Sequence, residues 1–347
     1  MKLPAPRGPV SETLTAALAR PPHDLPASIT DALPTDALAH DTLAGSSSAE
    51  PLHDDDLQLA LFVCYELHYR GWDGVDERWE WQPSLLRFRS LAEDRFEAAL
   101  RHLAGPVPPV PPDGVPRALV ELAARDDGPS LSGYLRGRAT LAQFREFVTH
   151  RAVYHLREAD PHSWAIPRLD GRAKAALIEI QIDEYGGGHL SRMHSELFRT
   201  TMDRLGLDTT YGAYVDAVPA ITLATNNMMS LFGLHRRLRG ALLGQLAAFE
   251  MTSSVPNRAY GNGLRRLGGD RTATRFYDEH VEADSVHEQI AAYDLCGSFC
   301  GAEPELAPDV LFGAGCGLAL DTLWARHLLR SWAAGDSSLR AVAPVAR

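Results

Sequence analysis

The chain has little cysteine: among its 347 residues only Cys64, Cys296, Cys300 and Cys316 occur. They are scattered, and no CxxC pair forms, so neither a disulfide framework nor a four-cysteine zinc site is expected. Basic charge is also short. Lys and Arg number 34 against 45 Asp and Glu, leaving a formal charge of -11. Without a basic stripe to override it, that balance argues against a nucleic-acid partner. On this reading no apolar run reaches the length of a membrane span, and the N-terminus lacks the compact apolar core of a secretory leader. No membrane association is therefore expected, and the cytoplasm is the expected compartment. The alternating strand-and-helix texture of a dinucleotide fold is missing too. VLFGAGCGLALD (Val310–Asp321) has glycines without GxGxxG spacing, and close packing of helices is the better reading of them.

What is present is an ordinary globular composition, 45% hydrophobic and 23% charged, able to bury a sizeable core. Residues 1–50 are rich in Pro, Ala, Ser and Thr and read as an extension, partly disordered or draped over the rest, with a short helix around Glu12 to Ala19. Residues 51–125 read as an accessory helical module. It holds the pattern LQLALFVCYELHYRGW, a second helix of about Pro83 to Leu103, and the stiff connector GPVPPVPPDGVP. Residues 130–335 form the expected core and 336–347 a tail. Glu66 and His68 stand two residues apart, on different helix faces, so a network of Glu66 with Arg70 or Arg78 is favoured over metal ligation.

The chemistry concentrates in two stretches. FYDEHVEADSVHE (Phe276–Glu288) places His280, Asp284 and His287 at offsets of four and three, within about 60° of one another on a helix. Phe276, Ala283, Ile290 and Ala291 share that arc, so the two imidazoles and the carboxylate face a core and need a strong partner, for which a transition metal is the obvious choice. EIQIDEYGGGHLSRMHSELF (Glu179–Phe198) breaks two helical patterns, Ala173–Tyr185 and Leu190–Leu205, with three glycines costing about 1 kcal/mol each. Glu184 and His194 flank the break and would lie about 15 Å apart on an unbroken helix. Either a loosened turn brings them to one site, or the glycines admit a neighbouring helix; both stay open.

Glu250 lies on the apolar face of ALLGQLAAFEM, where a salt bridge from Arg258 or Arg265, or a metal, would compensate it. Glu158, at the end of a helical stretch running from Gly133, reads on local grounds as part of a solvated turn beside Arg157. Helices are expected over Tyr211–Leu234, where Asn226 and Asn227 could bridge helices or line a cavity, and over Leu234–Thr252. PNRAYGNGLRRLGGD is expected to be a loop followed by a short helix. Carboxylates and imidazoles without thiolates suit iron or manganese. The Glu-x-x-His pair of ferritin-like bundles is absent.

With these residues in view, the chain resembles the haem-oxygenase-like iron-containing oxidases and oxygenases, from about Gly133 to the final helix. READPHSWAIPRL, EIQIDEYGGGHLSRMHSELF and HVEADSVH carry the resemblance, above all the Glu-to-His spacing of ten across glycines together with HxxxDxxH. It implies an all-α, seven-helix haem-oxygenase-like bundle preceded by the small helical N-terminal module. It also implies two irons, held by Glu158, Glu184, His194, Glu250, His280, Asp284 and His287. The implied activity is O2-dependent oxidation of a small molecule, by hydroxylation, N-oxygenation, desaturation or carbon–carbon cleavage. An electron donor is needed, and a homodimer is compatible. The competing readings are a haem-binding or cofactorless oxidase on the same fold, and a non-catalytic helical scaffold whose acids and histidines pair with one another.

Overall fold

Every regular element among the described residues is helical. The computed structural model describes residues 1–33, 50–125 and 128–341, without the side chains of residues 50 and 282–286. The principal helices are α1 (Pro9–Leu18), α2 (Asp55–Glu66), α3 (Pro83–Ala104), α4 (Val115–Ala124), α5 (Leu141–His155), α6 (Gly171–Glu184), α7 (His194–Arg204), α8 (Ala220–Leu234), α9 (Arg239–Arg266), α10 (Arg271–Gln289) and α11 (Ala307–Ala334). Local chemistry sets their ends. The Asp54 carboxylate accepts the Asp56 and Leu57 amides at the start of α2, and Thr140 with Gln143 forms a capping box on α5. Left-handed Gly105 and Gly335 close α3 and α11.

The contacts divide the chain into two units, one of Met1–Pro106, Gly212–Met228 and Arg340–Arg347, the other of Val107–Tyr211 and Met229–Leu339. In the first, the N-terminal stretch is tied down. Val10, Leu14, Leu18, Ile29 and Leu33 are buried, the terminal ammonium meets Asp73 at 2.8 Å, and Arg7 meets Asp55 at 3.0 Å. The Asn227 amide donates to both the main-chain and side-chain oxygens of Gln58 at 2.8 Å, and the Asn226 amide donates to Thr222. Asn227 therefore bridges two helices, while Asn226 bonds back to its own helix. His68 pairs with Glu80 at 2.9 Å and with Arg89, while buried Glu66 accepts the Arg70 amide, so neither joins a metal cluster.

The second unit is built on α9 and α11, whose main chains nearly touch. A Cβ at Gly244 would lie 1.8 Å from the Val310 carbonyl oxygen, and one at Gly313 would lie 1.9 Å from that of Ala241. The glycines of VLFGAGCGLALD are thus used for close helix packing. One helix, Pro304–Ala334, is long and apolar enough to cross a membrane by length and composition, against the expectation of no such run. Half of its apolar window is buried inside the protein, and the packing against α9 accounts for that composition.

α9 also departs from expectation. It continues through Pro256 to Arg266 where a loop was expected. Proline removes the bond to the Thr252 carbonyl, but Ala259, Tyr260 and Leu264 bury against neighbours and hold the helix on course. α8 begins only at Ala220, because Pro219 and left-handed Gly212 suit turns rather than helix. After α10 the chain widens into a π-helical stretch, Ile290–Gly297. All four cysteines are buried free thiols.

Candidate metal centre

The glycine break is the local device that assembles the site. Gly186, Gly187 and Gly188 all adopt left-handed φ, at 63°, 62° and 78°. Side chains other than glycine rarely take that conformation in series. The chain turns so sharply that Glu184, the last residue of α6, and His194, the first of α7, bring Oε2 and Nδ1 to 3.0 Å. The glycine turn thus sets Glu184 and His194 side by side, and Gly186 admits the Arg192–Met193 main chain at close range.

Two further helices contribute. On α10, His280 stands with its ring centroid 4.4 Å from that of His194 and its Nε2 3.6 Å from Glu158 Oε1. One oxygen or nitrogen from each of Glu158, Glu184, His194 and His280 falls within 4.8 Å of all the others. A second set within the same limit consists of Glu184, Glu250 and His287. His287 Nδ1 and Glu250 Oε2 stand 3.3 Å apart. Glu184 belongs to both sets.

Glu158 is buried, contrary to the solvated turn expected locally. Left-handed Ala159 redirects the chain just after it, and His155 Nδ1 donates to Glu158 Oε1 at 2.7 Å. Arg265 grips Asp278 instead of Glu250, so the salt bridge considered for it there does not form. Asp284 lies in 282–286, outside the described side chains.

The ring tautomers are set from outside the cluster. His280 Nδ1 donates to the Phe276 carbonyl at 2.8 Å, which turns Nε2 toward Glu158. His287 Nε2 donates to Asp183 at 2.9 Å, leaving Nδ1 toward Glu250. A carboxylate or carbonyl behind an imidazole is the usual support of a metal-binding histidine. Asp183 and His155 were not among the expected site residues. Their adjacency to Glu184 and their spacing of three from Glu158 are the only traces they leave in the sequence.

The electrostatics are those of interlocked ion pairs. Burial alone would raise the Glu158 carboxyl, but His155 and His280 beside it hold it well below the usual range. Burial likewise opposes the ionised form of Glu184, and His194 outweighs it. For His194 and His287 burial lowers the pKa, yet Glu184 raises the first, and Glu250 with Asp183 lifts the second to about 9.

Pairing does not satisfy every atom. Glu158 Oε2, Glu184 Oε2, His194 Nδ1 and His287 Nδ1 are buried and make no hydrogen bond, although carboxylate and imidazole stand 3.0–3.3 Å apart. Each such atom costs about 1–3 kcal/mol when nothing meets it. Donors that crowd together without bonding to one another fit a cation between them, and oxygen and imidazole nitrogen are donors iron accepts.

Beside the cluster lies a cavity of about 200 Å³. Glu158, Glu184, Glu250 and His280 form one part of its wall, and Phe147, Phe198, Leu246 and Phe249 supply apolar surface. Asn226 and Asn227, for which a cavity wall was one of two readings, are not in that wall.

A model of a family described as iron-containing redox enzymes matches residues 145–322, a stretch containing all the expected ligands. The chain is also 29% identical over 170 residues to the nitrosourea synthase of Streptomyces achromogenes subsp. streptozoticus. That match takes in 49% of this chain and 36% of the synthase, so the chain spans about a third of the length of this curated relative. The haem-oxygenase-like all-α bundle, the carboxylate and imidazole cluster and the matched family agree, and the chain belongs to the haem-oxygenase-like family of iron-containing redox enzymes.

Proposed function

We propose that the chain is a non-haem di-iron oxidase or oxygenase that uses dioxygen to oxidise a small molecule. Glu158, Glu184, His194 and His280 would hold one iron, and Glu184, Glu250 and His287 the other. Asp284 would be a further ligand on the HxxxDxxH spacing of the sequence alone. The observation that carries this reading is the sharing of Glu184 by two overlapping donor groups. A carboxylate reaching two cations is how neighbouring metals are held in helical bundles. A haem would need one axial imidazole in an apolar pocket, whereas the imidazoles here each face a carboxylate.

Bound ferrous iron would supply the electrons and the Lewis acidity for reducing dioxygen. The chain's own residues do the rest. Asp183 and the Phe276 carbonyl keep the proton of each α10 imidazole on the nitrogen facing away from the cluster. His155 holds Glu158 by Oε1, the oxygen that also faces His280, and leaves Oε2 without a hydrogen bond. Phe147, Phe198, Leu246 and Phe249 give the cavity apolar surface beside the cluster, and its volume of about 200 Å³ suits a substrate of small size. The matched relative is named for making a nitrosourea, so N-oxygenation is the first outcome to test. Dioxygen and an external electron donor are the partners this chemistry requires.

Anaerobic titration of the metal-free protein with ferrous iron tests the reading. About two irons per chain are expected, and rapid consumption of oxygen on mixing. Glu184→Ala should impair both positions, while Glu250→Ala with His287→Ala should leave one. Uptake indifferent to Glu184→Ala would sink the proposal.

A further inference from the structure

Helix packing accounts for some glycines of the long helices and leaves one unexplained. At Gly244, Gly263 and Gly313 a Cβ would lie 2.5 Å or less from a main-chain oxygen of a neighbouring element. Gly317, one turn beyond Gly313 on α11, has no such neighbour. A Cβ there would meet Gln245 Cγ at 3.4 Å and Phe249 Cε1 at 3.6 Å. Both are ordinary contacts with side-chain carbons, so alanine fits without anything having to move. A glycine inside a helix costs stability relative to alanine, and no close approach of main chains offsets that cost here. Gly317 does border the cavity. With Leu318 it lines the wall from α11, and Leu246 and Phe249 line it from α9. One turn further on, Asp321 meets Arg151 at 2.8 Å in the same wall. Charge is thus already balanced there, and the atoms that face the open position at Gly317 are hydrocarbon.

We propose that Gly317 is a specificity-determining residue: its missing side chain holds open an apolar subsite, which takes a hydrocarbon or aromatic group of the substrate. The proposal rests on the reading of the neighbouring cluster as the oxidising centre, because that reading makes the occupant a substrate. The cavity is only about 200 Å³, so a single methyl group on its wall removes room that a ligand would use. In an apolar pocket one methylene more or less changes affinity by about 10–200-fold. A residue that would stabilise the fold is forgone where a ligand needs the space, which is a known form of the trade between stability and function.

Benzene and n-butylbenzene are neutral probes that share a ring and differ in the length of the hydrocarbon attached to it. Their binding to the metal-free, full-length chain is measured by calorimetry, and again after anaerobic loading with ferrous iron. The unaltered chain should bind both. Gly317→Ala should raise the melting temperature by about 1–4 °C. It should also weaken n-butylbenzene by about tenfold or more, while benzene changes by less than about threefold. Shortening the side chain that faces the new methyl group, by Phe249→Leu in the Gly317→Ala background, should recover most of the n-butylbenzene affinity. A packing glycine replaced by alanine melts lower, so gained stability with lost room separates the two roles. A lower melting temperature for Gly317→Ala would overturn the subsite. So would failure of the unaltered chain to bind n-butylbenzene, or a ratio of the two affinities that neither substitution moves. The metal-free measurements read the subsite whether or not iron is taken up, so the two proposals fall separately.

Discussion

Alanine at Gly186 should damage the protein in a way that alanine at its neighbours does not. All three glycines of the break are left-handed, which costs an ordinary side chain about 1–2 kcal/mol. At Gly187 the nearest atom to a new Cβ is 3.9 Å away, and at Gly188 nothing lies within 4 Å. Gly187→Ala and Gly188→Ala should therefore cost only that conformational term, a melting shift of a few degrees. At Gly186 the Cβ would lie 2.5 Å from the Arg192 carbonyl carbon and 2.6 Å from the Met193 nitrogen. These are main-chain atoms and cannot swing aside. Overpacking adds about 1–3 kcal/mol, so Gly186→Ala should lose roughly 2–5 kcal/mol in total. For a unit of this size that is a melting shift of roughly 5–15 °C. The main chain pushed away leads directly into His194, so iron uptake at the position held by Glu158, Glu184, His194 and His280 should weaken as well. Thermal melts of the metal-free variants and ferrous titrations check both halves. If Gly186→Ala melts with Gly187→Ala and binds iron normally, the close approach is not what places His194.

Other outcomes follow from the same geometry. Asp183→Asn should lower affinity at the His287 position by about 10–100-fold while leaving the other iron in place, as a two-phase titration would show. In the metal-free protein the His287 pKa stands at about 9, above the ordinary 6.5. The stabilisation from its charged form is therefore complete below about pH 6.5 and lost as pH rises through about 9; denaturation of the metal-free chain at pH 7 and pH 10 should show the loss, and His287→Gln should flatten it. His150 behaves oppositely, since burial, with His327 and Arg151 nearby, lowers it to about 3. The unfolded chain takes up that proton first, so stability falls as pH drops below about 6.5 toward 3, and less steeply in His150→Phe. Gly244→Ala, with its Cβ 1.8 Å from a main-chain oxygen, should cost more than 3 kcal/mol in a chemical melt or abolish folding, beyond the usual overpacking range of about 1–3.

The helical character and the buried face running through α10 into the π-helical stretch were legible because they depend on periodicity: Phe276, His280, His287, Ile290 and Ala291 are all buried. The pairing of Glu184 with His194 was half legible, since three glycines announce a special turn but not its direction. Glu158 was misread locally because its burial involves His280 of α10 across the cluster as well as His155 three residues before it, and a stretch read alone shows only its neighbour Arg157. Pro256 misled for a similar reason, as the contacts of α9 with α10 and α11 outweigh one missing hydrogen bond. Arg151 gave no signal at all. An arginine on a helix looks solvated until the cavity it borders exists.

The paired glycines of α9 and α11 have a consequence for the length of the cavity. Glu250 follows Gly244 by six residues, and Asp321 follows Gly313 by eight, so each end of the cavity is hung from the same contact between main chains. Side-chain packing tolerates a methylene here or there, but two backbones in contact act as a fixed gauge. The distance between the carboxylate–imidazole cluster and the Asp321 end of the cavity is therefore a property of the scaffold, held constant while the side chains between them vary.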